Sequence, residues 1–172
     1  MNHVSCIMKK EDGITLIELI VVISIIGILA VALGFTFQGW MGKYRVESQI
    51  KEMYIDLMNA RASAMQRNRA HFATGTATTY SIYEDTTPAP DGDGILQAVA
   101  ADRLLPSFPK TVEYNINWTG LGNTITFDRR GIISPLGSIY LNSTVDPDYD
   151  CLIISATRMN LGKWNGASCD AK

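Results

Sequence analysis

Apolar residues dominate one continuous stretch near the N-terminus. From Leu19 to Gly42 no side chain carries a formal charge. A bilayer core needs about 20 such residues in a helix, so this stretch is long enough to span one. The pattern therefore predicts a transmembrane helix over residues 14–42.

Beyond this stretch the apolar positions recur in steps of three and four. They are Val46, Ile50, Met53, Leu57, Ala60 and Ala64. This is the period of an amphipathic helix with one buried face. Because the first proline is Pro88, nothing in the first half of the chain forces a helix to break. We expect one helix from about Ile14 to about Arg69, whose outer half is the spine of a soluble domain.

After Arg69 the pattern changes to short alternating runs separated by Gly, Pro, Asn and Asp. Such runs predict the strands of an antiparallel sheet. The predicted strands are 71–73, 79–83, 112–118, 124–128, 138–142, 152–155 and 158–163. A turn-rich loop is expected over 86–94, followed by a short helix over 94–105. The predicted fold class is α+β, a long N-terminal helix packed on a mainly antiparallel β-sheet domain.

A carboxylate within the apolar stretch is the first candidate for function. Glu18 lies four residues beyond Ile14, and an ionised carboxylate in hydrocarbon costs at least a few kcal/mol unless a cation neutralises it. No Lys, Arg or His occurs between Ile14 and Gly42. The nearest candidate cation is the α-amino group that a cut after Gly13 would expose.

The residues around this position resemble a known processing site. The resemblance to type IV prepilins and pseudopilins is carried by Lys9-Lys10-Glu11-Asp12-Gly13 followed by Ile14-Thr15-Leu16-Ile17-Glu18-Leu19. It implies a leader peptide over residues 1–13, cleavage after Gly13 by a prepilin peptidase and N-methylation of Ile14. It also implies that Glu18 pairs with the Ile14 amine of a neighbouring subunit. Ile14 stands where the family more often has phenylalanine, which should be tolerated because methylation acts on the backbone amine.

Two further regions resemble the domain shared by H-type pseudopilins of type II secretion and FimT-type minor pilins, the GspH/FimT class. They are Val46–Gln49 with Asp56–Arg69, and Ile125–Gly131. The resemblance implies a subunit of a type IV pilus or a type II secretion pseudopilus, with no reaction of its own. The implied partners are prepilin peptidase, other pilin or pseudopilin subunits, an inner-membrane assembly platform and membrane lipid. The precursor would span the inner membrane once, with residues 43–172 in the periplasm.

A secretory signal peptide is the alternative for the N-terminus. Ala30-Val31-Ala32 offers the small-residue site at which such a peptide is cut. Three features oppose this alternative: acidic Glu11 and Asp12 follow the lysines, Glu18 interrupts the apolar region, and the apolar pattern continues beyond Ala32.

Cysteine usage agrees with an exported domain. Removal of the leader would take Cys6 away and leave Cys151 and Cys169. Two thiols in a domain exported across a membrane most simply form a disulfide, which would contribute about 3 kcal/mol by the chain-entropy estimate. A zinc site is disfavoured, since His71 would be the only histidine in the mature chain.

Charge and composition offer little catalytic chemistry. The net charge of -2 over 172 residues gives no general attraction to nucleic acid. An enzyme needs a nucleophile, base or metal in a defined pocket, and the sequence presents no such constellation, so no cofactor is expected. His71 is expected to be a structural or surface histidine.

Two acidic segments leave a calcium site open. Asp146, Asp148 and Asp150 would share one face of an extended segment and repel one another, and Asp91-Gly92-Asp93-Gly94 is a second acidic turn. A bound Ca²⁺ would relieve the repulsion, although neither segment has a full ligand set.

A membrane-tethered binding module for DNA or a surface ligand is the alternative function. Basic side chains and one indole ring that could contact DNA lie near the C-terminus, at Arg158, Lys163, Trp164 and Lys172. Charged residues that protect the edge of a hairpin explain the same pattern.

Overall fold

The computed structural model of the chain describes residues 13–90, 92–97 and 101–172, and for residues 32–38 it describes the backbone alone. The chain divides into two compact units, Met1–Gly39 and Trp40–Lys172. One helix, α1 (Leu16–Arg67), begins in the first unit and ends in the second. The strands that follow belong to the second unit, and the predicted α+β class is confirmed.

Helix α1 has a local cap at each end. The hydroxyl of Thr15 accepts a hydrogen bond from the Glu18 backbone N–H at 3.3 Å. After the last turn Asn68 takes a left-handed conformation (φ 53°), and Arg69 N–H donates to the Ala64 carbonyl at 3.2 Å. These contacts satisfy backbone groups that a helix end leaves without partners. The helix is two residues shorter at each end than predicted.

In the unit Met1–Gly39, α1 exposes its apolar side chains. The large apolar residues between Ile14 and Val31 are 48% to 79% exposed. The sequence predicts a membrane span over residues 14–42. Among the described residues, however, no helix is both long enough and apolar enough to cross a membrane.

Eleven strands are present in the described part of the unit Trp40–Lys172. They are β1 (His71–Gly75), β2 (Thr79–Glu84), β3 (Arg103–Leu104), β4 (Lys110–Thr111), β5 (Ile116–Thr119), β6 (Thr124–Phe127), β7 (Ile133–Ser134), β8 (Gly137–Leu141), β9 (Cys151–Ile154), β10 (Met159–Trp164) and β11 (Cys169–Ala171). The first sheet has the order β3-β2-β1-β6-β7, with β4 also paired to β2, and the second has the order β11-β10-β9-β8-β5. Every pairing is antiparallel.

The buried face of α1 is the one that the spacing predicts. Its six apolar positions, Val46, Ile50, Met53, Leu57, Ala60 and Ala64, are at most 1% exposed. They join side chains from both sheets, such as Phe127 and Ile139, in one hydrophobic core. Full burial of a large apolar side chain contributes about 1.5 to 3 kcal/mol, so this contact anchors the helix to the sheets.

The strand predicted over 112–118 forms only in part. β4 ends at Thr111 and β5 begins at Ile116, so residues 116–118 are in a strand whereas 112–115 are not. Val112 N–H donates to the Thr78 carbonyl at 3.0 Å, and the next two residues bond to a side chain of α1. Gln49 Oε1 accepts from Glu113 N–H and Tyr114 N–H, both at 3.0 Å, and Gln49 Nε2 donates to the Tyr114 carbonyl at 2.8 Å. The alternation of more and less exposed side chains survives over 112–115, but no ladder forms there.

The short helix predicted over 94–105 is wrong in the part that is described. Residues 94–97 are not helical, Arg103–Leu104 forms β3, and residues 98–100 lie outside the described residues. The buried carboxylate of Asp102 accepts hydrogen bonds from Thr86 N–H (3.1 Å) and Gln97 N–H (3.0 Å). An aspartate that bonds neighbouring backbone in this way competes with helix formation.

Candidate functional site

The residues predicted to be processed lie immediately before α1. Gly13 and Ile14 precede the helix and are exposed. A Cβ atom placed on Gly13 would meet nothing within 4 Å, so open space surrounds this residue. The peptide bond between Gly13 and Ile14 is therefore accessible to an enzyme. The rest of the predicted leader, residues 1–12, lies outside the described residues.

Glu18 lies in the first turn of α1 with an exposed side chain. Thr15 is the N-cap, which makes Glu18 the third helical residue, and a carboxylate here is favoured by the helix dipole. Threonine followed three residues later by glutamate is the capping-box pattern. The same spacing of Thr15 and Glu18 is visible in the sequence, where Glu18 was interpreted only as an assembly residue. Within residues 13–90, 92–97 and 101–172, Glu18 forms no ion pair.

A charged network joins α1 to the first sheet. The Tyr80 hydroxyl donates to Asp56 Oδ2 at 2.6 Å, and Lys110 Nζ donates to the same oxygen and to Glu52 Oε1, each at 2.7 Å. Burial, with help from Asp56, raises the pKa of the Tyr80 phenol. Burial acts to lower the pKa of Lys110, but its bonds to Asp56 and Glu52 outweigh this effect and raise it. The raised pKa keeps Lys110 charged at neutral pH, and these hydrogen bonds fix the helix against β2 and β4.

A buried carboxylate lies where α1 meets the end of β2. The Glu84 side chain is 3% exposed, and three guanidinium groups surround it: Arg67 at 2.8 Å, Arg69 at 3.7 Å and Arg103 at 3.8 Å. The arginine side chains are more exposed than the carboxylate, so the buried charge is paired with groups that are themselves in contact with solvent. This arrangement secures the C-terminal end of the helix.

His71 is a core residue that faces Glu84 across the β1–β2 ladder. Its Nδ1 lies 3.2 Å from the Arg69 carbonyl, whereas its buried Nε2 has no hydrogen-bond partner among the described residues. Burial lowers the pKa of the His71 imidazole, so the ring is neutral at pH 7. The side chain is fully buried, so His71 is a structural histidine of the core and not a surface residue.

The acidic segment near the C-terminus is neutralised by the protein itself. Asp146 forms an ion pair with Lys163, and Asp148 forms one with Lys172 at 3.4 Å. Asp150 accepts a hydrogen bond from the β10 backbone at 2.6 Å. In the described part of the chain, no group of three or more His, Cys, Asp or Glu side chains is placed to hold a metal ion.

The second acidic turn is only partly described, because Asp91 lies outside the described residues. Asp93 accepts hydrogen bonds from Ile95 N–H at 2.9 Å and from the Gln97 amide at 2.6 Å. Its carboxylate therefore stabilises the loop.

The residues considered for DNA contact are mostly engaged elsewhere. Lys163 and Lys172 have the acidic partners given above, and the Trp164 ring stacks on Tyr140 with centroids 3.9 Å apart and planes within 7°. Arg158 lies in the turn before β10 and is exposed. Of these four residues Arg158 and Lys172 are exposed, whereas Lys163 and Trp164 are partly buried.

Cys151 and Cys169 form a disulfide, with Cα atoms 6.1 Å apart. The bond joins β9 to β11, the two neighbours of β10. It lies against Gly162 of β10, where an added Cβ would come within 2.9 Å of Cys169 Sγ. Glycine at this position lets the crosslink cross the strand, a requirement with no signal in the sequence.

A cleft of about 550 Å³ opens between the end of α1, the loop after β2 and the turn after β6. It is lined by charged residues of both signs, among them Arg69, Asp85, Asp128 and Arg130. Burial raises the pKa of Asp85, whose Oδ2 accepts a hydrogen bond from Gly94 N–H at 2.7 Å. Its described lining has three acidic and three basic side chains, so the charge favours neither an anion nor a cation.

The fold is that of a pilin-like subunit. Exposed Gly13 and Ile14 precede a long helix with exposed Glu18 in its first turn, and the second part of this helix packs on two antiparallel sheets. Comparison with known families makes this specific. The prokaryotic N-terminal methylation motif matches residues 8–36, and the type II transport protein GspH matches residues 49–158. The second match covers more than half of the chain, so the protein belongs to the GspH family and is a GspH/FimT-type pseudopilin. Neither a curated protein nor a solved structure matches the chain.

This membership confirms the resemblance on which the sequence analysis relied. The GspH family consists of structural pseudopilins of type II secretion and type IV pili. The methylation motif covers Gly13, Ile14 and Glu18 and implies processing by a prepilin peptidase and assembly with other pilin subunits. The family is also one of membrane-anchored proteins.

Proposed function

We propose that this protein is a minor pilin or pseudopilin that a prepilin peptidase cleaves after Gly13 and methylates on Ile14. The observation that carries the proposal is the exposure of Gly13, Ile14 and Glu18 at the start of an apolar helix, within the methylation motif. The processed subunit acts in filament initiation, at the tip of a filament or in protein secretion. Its role is assembly, and it has no reaction of its own.

Before assembly, the proposed location is the inner membrane, with the N-terminal helix in lipid and residues 43–172 in the periplasm. The exposed apolar side chains between Ile14 and Val31 support this location, because lipid would cover a surface that is costly to leave in water. The disulfide between Cys151 and Cys169 supports a periplasmic domain, since disulfides persist in oxidising compartments.

During assembly, neighbouring subunits replace lipid around the helix, and Glu18 of one subunit pairs with the Ile14 amine of another. Both groups carry a charge that is expensive in hydrocarbon, and pairing removes the cost for both. The exposed side chain of Glu18 supports the pairing, because its carboxylate is open to a partner.

The intact mass of the protein extracted from membranes tests this proposal. We expect a chain that begins at Ile14, carries one added methyl group and lacks the two hydrogens lost in disulfide formation. A chain that begins at Leu33, or one that retains residues 1–13 in cells with working filaments, would contradict it.

Two systems use subunits of this class, and a gene deletion separates them. Loss of surface pili with normal secretion would assign the protein to a type IV pilus. Loss of secreted hydrolase activity with normal pili would assign it to type II secretion.

A further inference from the structure

Two large aromatic side chains lie side by side on the surface of α1, at the start of the unit Trp40–Lys172. The rings of Trp40 and Tyr44 stack with centroids 6.1 Å apart and an interplanar angle of 25°. Both residues are about three-fifths exposed, at 60% and 59%. An indole and a phenol combine a large apolar body with one polar atom, a combination enriched where a membrane meets water.

Basic residues flank the two rings. Lys43 is exposed and forms no ion pair within the described residues. Arg45 reaches Glu113 at 3.2 Å, but both side chains are more than half exposed, so the pair contributes little. Lysine stems pack along apolar surface while the ammonium group reaches polar groups, which suits lipid phosphates.

The aromatic face of the helix is separate from the face that packs on the sheets. Trp40 and Tyr44 are four residues apart, so they share one side of α1. Lys43 is three residues from both Trp40 and Val46, so it lies between the aromatic side and the buried side. Gly42 follows Trp40 by two residues and Val46 follows Tyr44 by two, each about 200° further around the helix. Val46 is fully buried, and an added Cβ on Gly42 would meet Val145 Cγ1 at 3.1 Å. The domain therefore covers one side of this helical turn, whereas Trp40 and Tyr44 on the other side are about three-fifths exposed.

The number of residues before this turn suits a membrane span. The stretch 16–40 has 25 residues, and about 20 residues of helix span the hydrocarbon core of a bilayer. A helix that enters the core near Leu16 would therefore leave it before Trp40. The first basic residue of the described helix, Lys43, follows three positions later.

We propose that Trp40, Lys43 and Tyr44 form an interfacial collar that lies among phospholipid headgroups on the periplasmic side and fixes the depth of the helix in the bilayer. The inference rests on the proposed membrane-anchored function. The two rings lie at the boundary between acyl chains and headgroups, and the Lys43 ammonium group binds a lipid phosphate.

Depth-dependent quenching of Trp40 fluorescence tests the collar. The full chain is reconstituted in phosphatidylcholine vesicles that contain lipid brominated near the headgroup or near the end of the acyl chains. We expect the shallow quencher to reduce Trp40 fluorescence roughly twofold more than the deep one. W40F, which keeps Trp118 and Trp164, should lose this difference, whereas W164F should retain it.

Repositioning the indole supplies a second measurement. In the W40F background, Y44W should restore shallow quenching, because residue 44 belongs to the collar. I55W, at an exposed position about 16 Å further along the helix, should show no quenching by either lipid. Equal quenching of W40F and the wild type, or stronger quenching of Trp40 by the deep lipid, would overturn the collar.

Flotation of the same vesicles separates this inference from the proposed function. If the chain floats with the vesicles but Trp40 is not quenched by the shallow lipid, anchoring stands and the collar is overturned. If the chain does not float, membrane anchoring itself fails and the collar fails with it.

Discussion

The side-chain amide of Gln49 in α1 bonds both backbone polar groups of Tyr114. Its Nε2 donates to the Tyr114 carbonyl at 2.8 Å, and its Oε1 accepts from the Tyr114 N–H at 3.0 Å. The same oxygen accepts from Glu113 N–H. The side-chain amide thus supplies hydrogen bonds that a neighbouring strand would supply in a sheet. These bonds hold the segment between β4 and β5 against the helix.

Replacing Gln49 with alanine should destabilise the unit Trp40–Lys172. Three hydrogen bonds are lost and their backbone partners become less satisfied, so we expect a loss of about 2 kcal/mol in the free energy of unfolding. Urea unfolding of residues 40–172 measures it. Gln49→Glu keeps the acceptor for the two N–H groups but turns a carboxylate oxygen towards the Tyr114 carbonyl, so it should also destabilise the unit. Gln66→Ala, an exposed position on the same helix, should change stability very little, and an equal effect there would contradict the assignment.

Neutralising the buried carboxylate Glu84 should cost more than removing one of its cations. Glu84→Gln leaves three guanidinium groups facing a neutral amide, and we expect a loss of about 2 kcal/mol, moderated because the arginines reach solvent. Arg103→Ala removes the most exposed and most distant cation and should cost under about 0.5 kcal/mol. The comparison is made by thermal and urea unfolding, and a reversed order would show that Glu84 is not the centre of the cluster.

The unfolding free energy should fall in mild acid because of His71. Burial lowers the pKa of His71 below its ordinary value of 6.5, so the unfolded chain binds a proton that the folded chain resists. Stability from this residue is complete above the unfolded pKa, and it declines as the pH falls from about 6.5 towards the lower folded pKa. Below the folded pKa this residue causes no further loss.

The measurement is the pH dependence of urea unfolding for the wild type and His71→Phe. Buried Asp85 and Asp150 have raised pKa values and titrate in the opposite sense, but they are present in both chains. The difference between the two curves isolates His71. Parallel curves between about pH 7 and 5 would show that this histidine does not carry the dependence.

Gly162→Ala should strain the second sheet. Its Cβ would press on the Asp170 carbonyl and lie 2.9 Å from Cys169 Sγ, so we expect a loss of about 1 to 3 kcal/mol. Repeating the substitution in a C151A/C169A background removes the sulfur contact and should reduce the cost. A double-mutant cycle from the four unfolding curves gives the coupling, and strict additivity would show that the disulfide does not constrain Gly162.

Replacing Glu18 with alanine should leave the protein stable and membrane-bound but reduce its incorporation into filaments. The structure gives Glu18 an exposed side chain and no part in the core, so its loss should not affect folding. The readout is the amount of subunit in the sheared filament fraction relative to the membrane fraction. Glu18→Asp, which keeps the charge, is the matched variant and should retain more incorporation. Normal recovery of Glu18→Ala would contradict the proposed pairing with the Ile14 amine.

Periodicity alone was sufficient for the buried face of α1 and for most of the strands. Val46 and Ile50 are fully buried as predicted, because a repeat of 3.6 residues over several turns leaves few alternatives. β3, β4 and β7 are only two residues long and carry no pattern that a periodicity analysis could detect. Their existence depends on which neighbour their backbone meets.

The two elements that differ from the prediction share a physical cause, because in each a single polar side chain decides the backbone. Gln49 lies 65 positions before Tyr114, and local alternation cannot reveal so distant a hydrogen bond. Asp102 acts within its own loop, yet its carboxylate bonds backbone that a helix would need. The predicted processing and assembly residues have a local signal, because Gly13, Ile14 and Glu18 lie within six positions of the chain.

The crosslink between β9 and β11 determines when this domain becomes complete. β11 meets β10 through three residue pairs, so hydrogen bonding alone holds it weakly at the edge of the second sheet. Oxidation of Cys151 and Cys169 links β11 covalently to β9, so the edge strand no longer depends on hydrogen bonds alone. A subunit in a reducing compartment would thus hold β11 by hydrogen bonds alone. Under the proposed function, export would precede formation of the disulfide, and assembly would follow it.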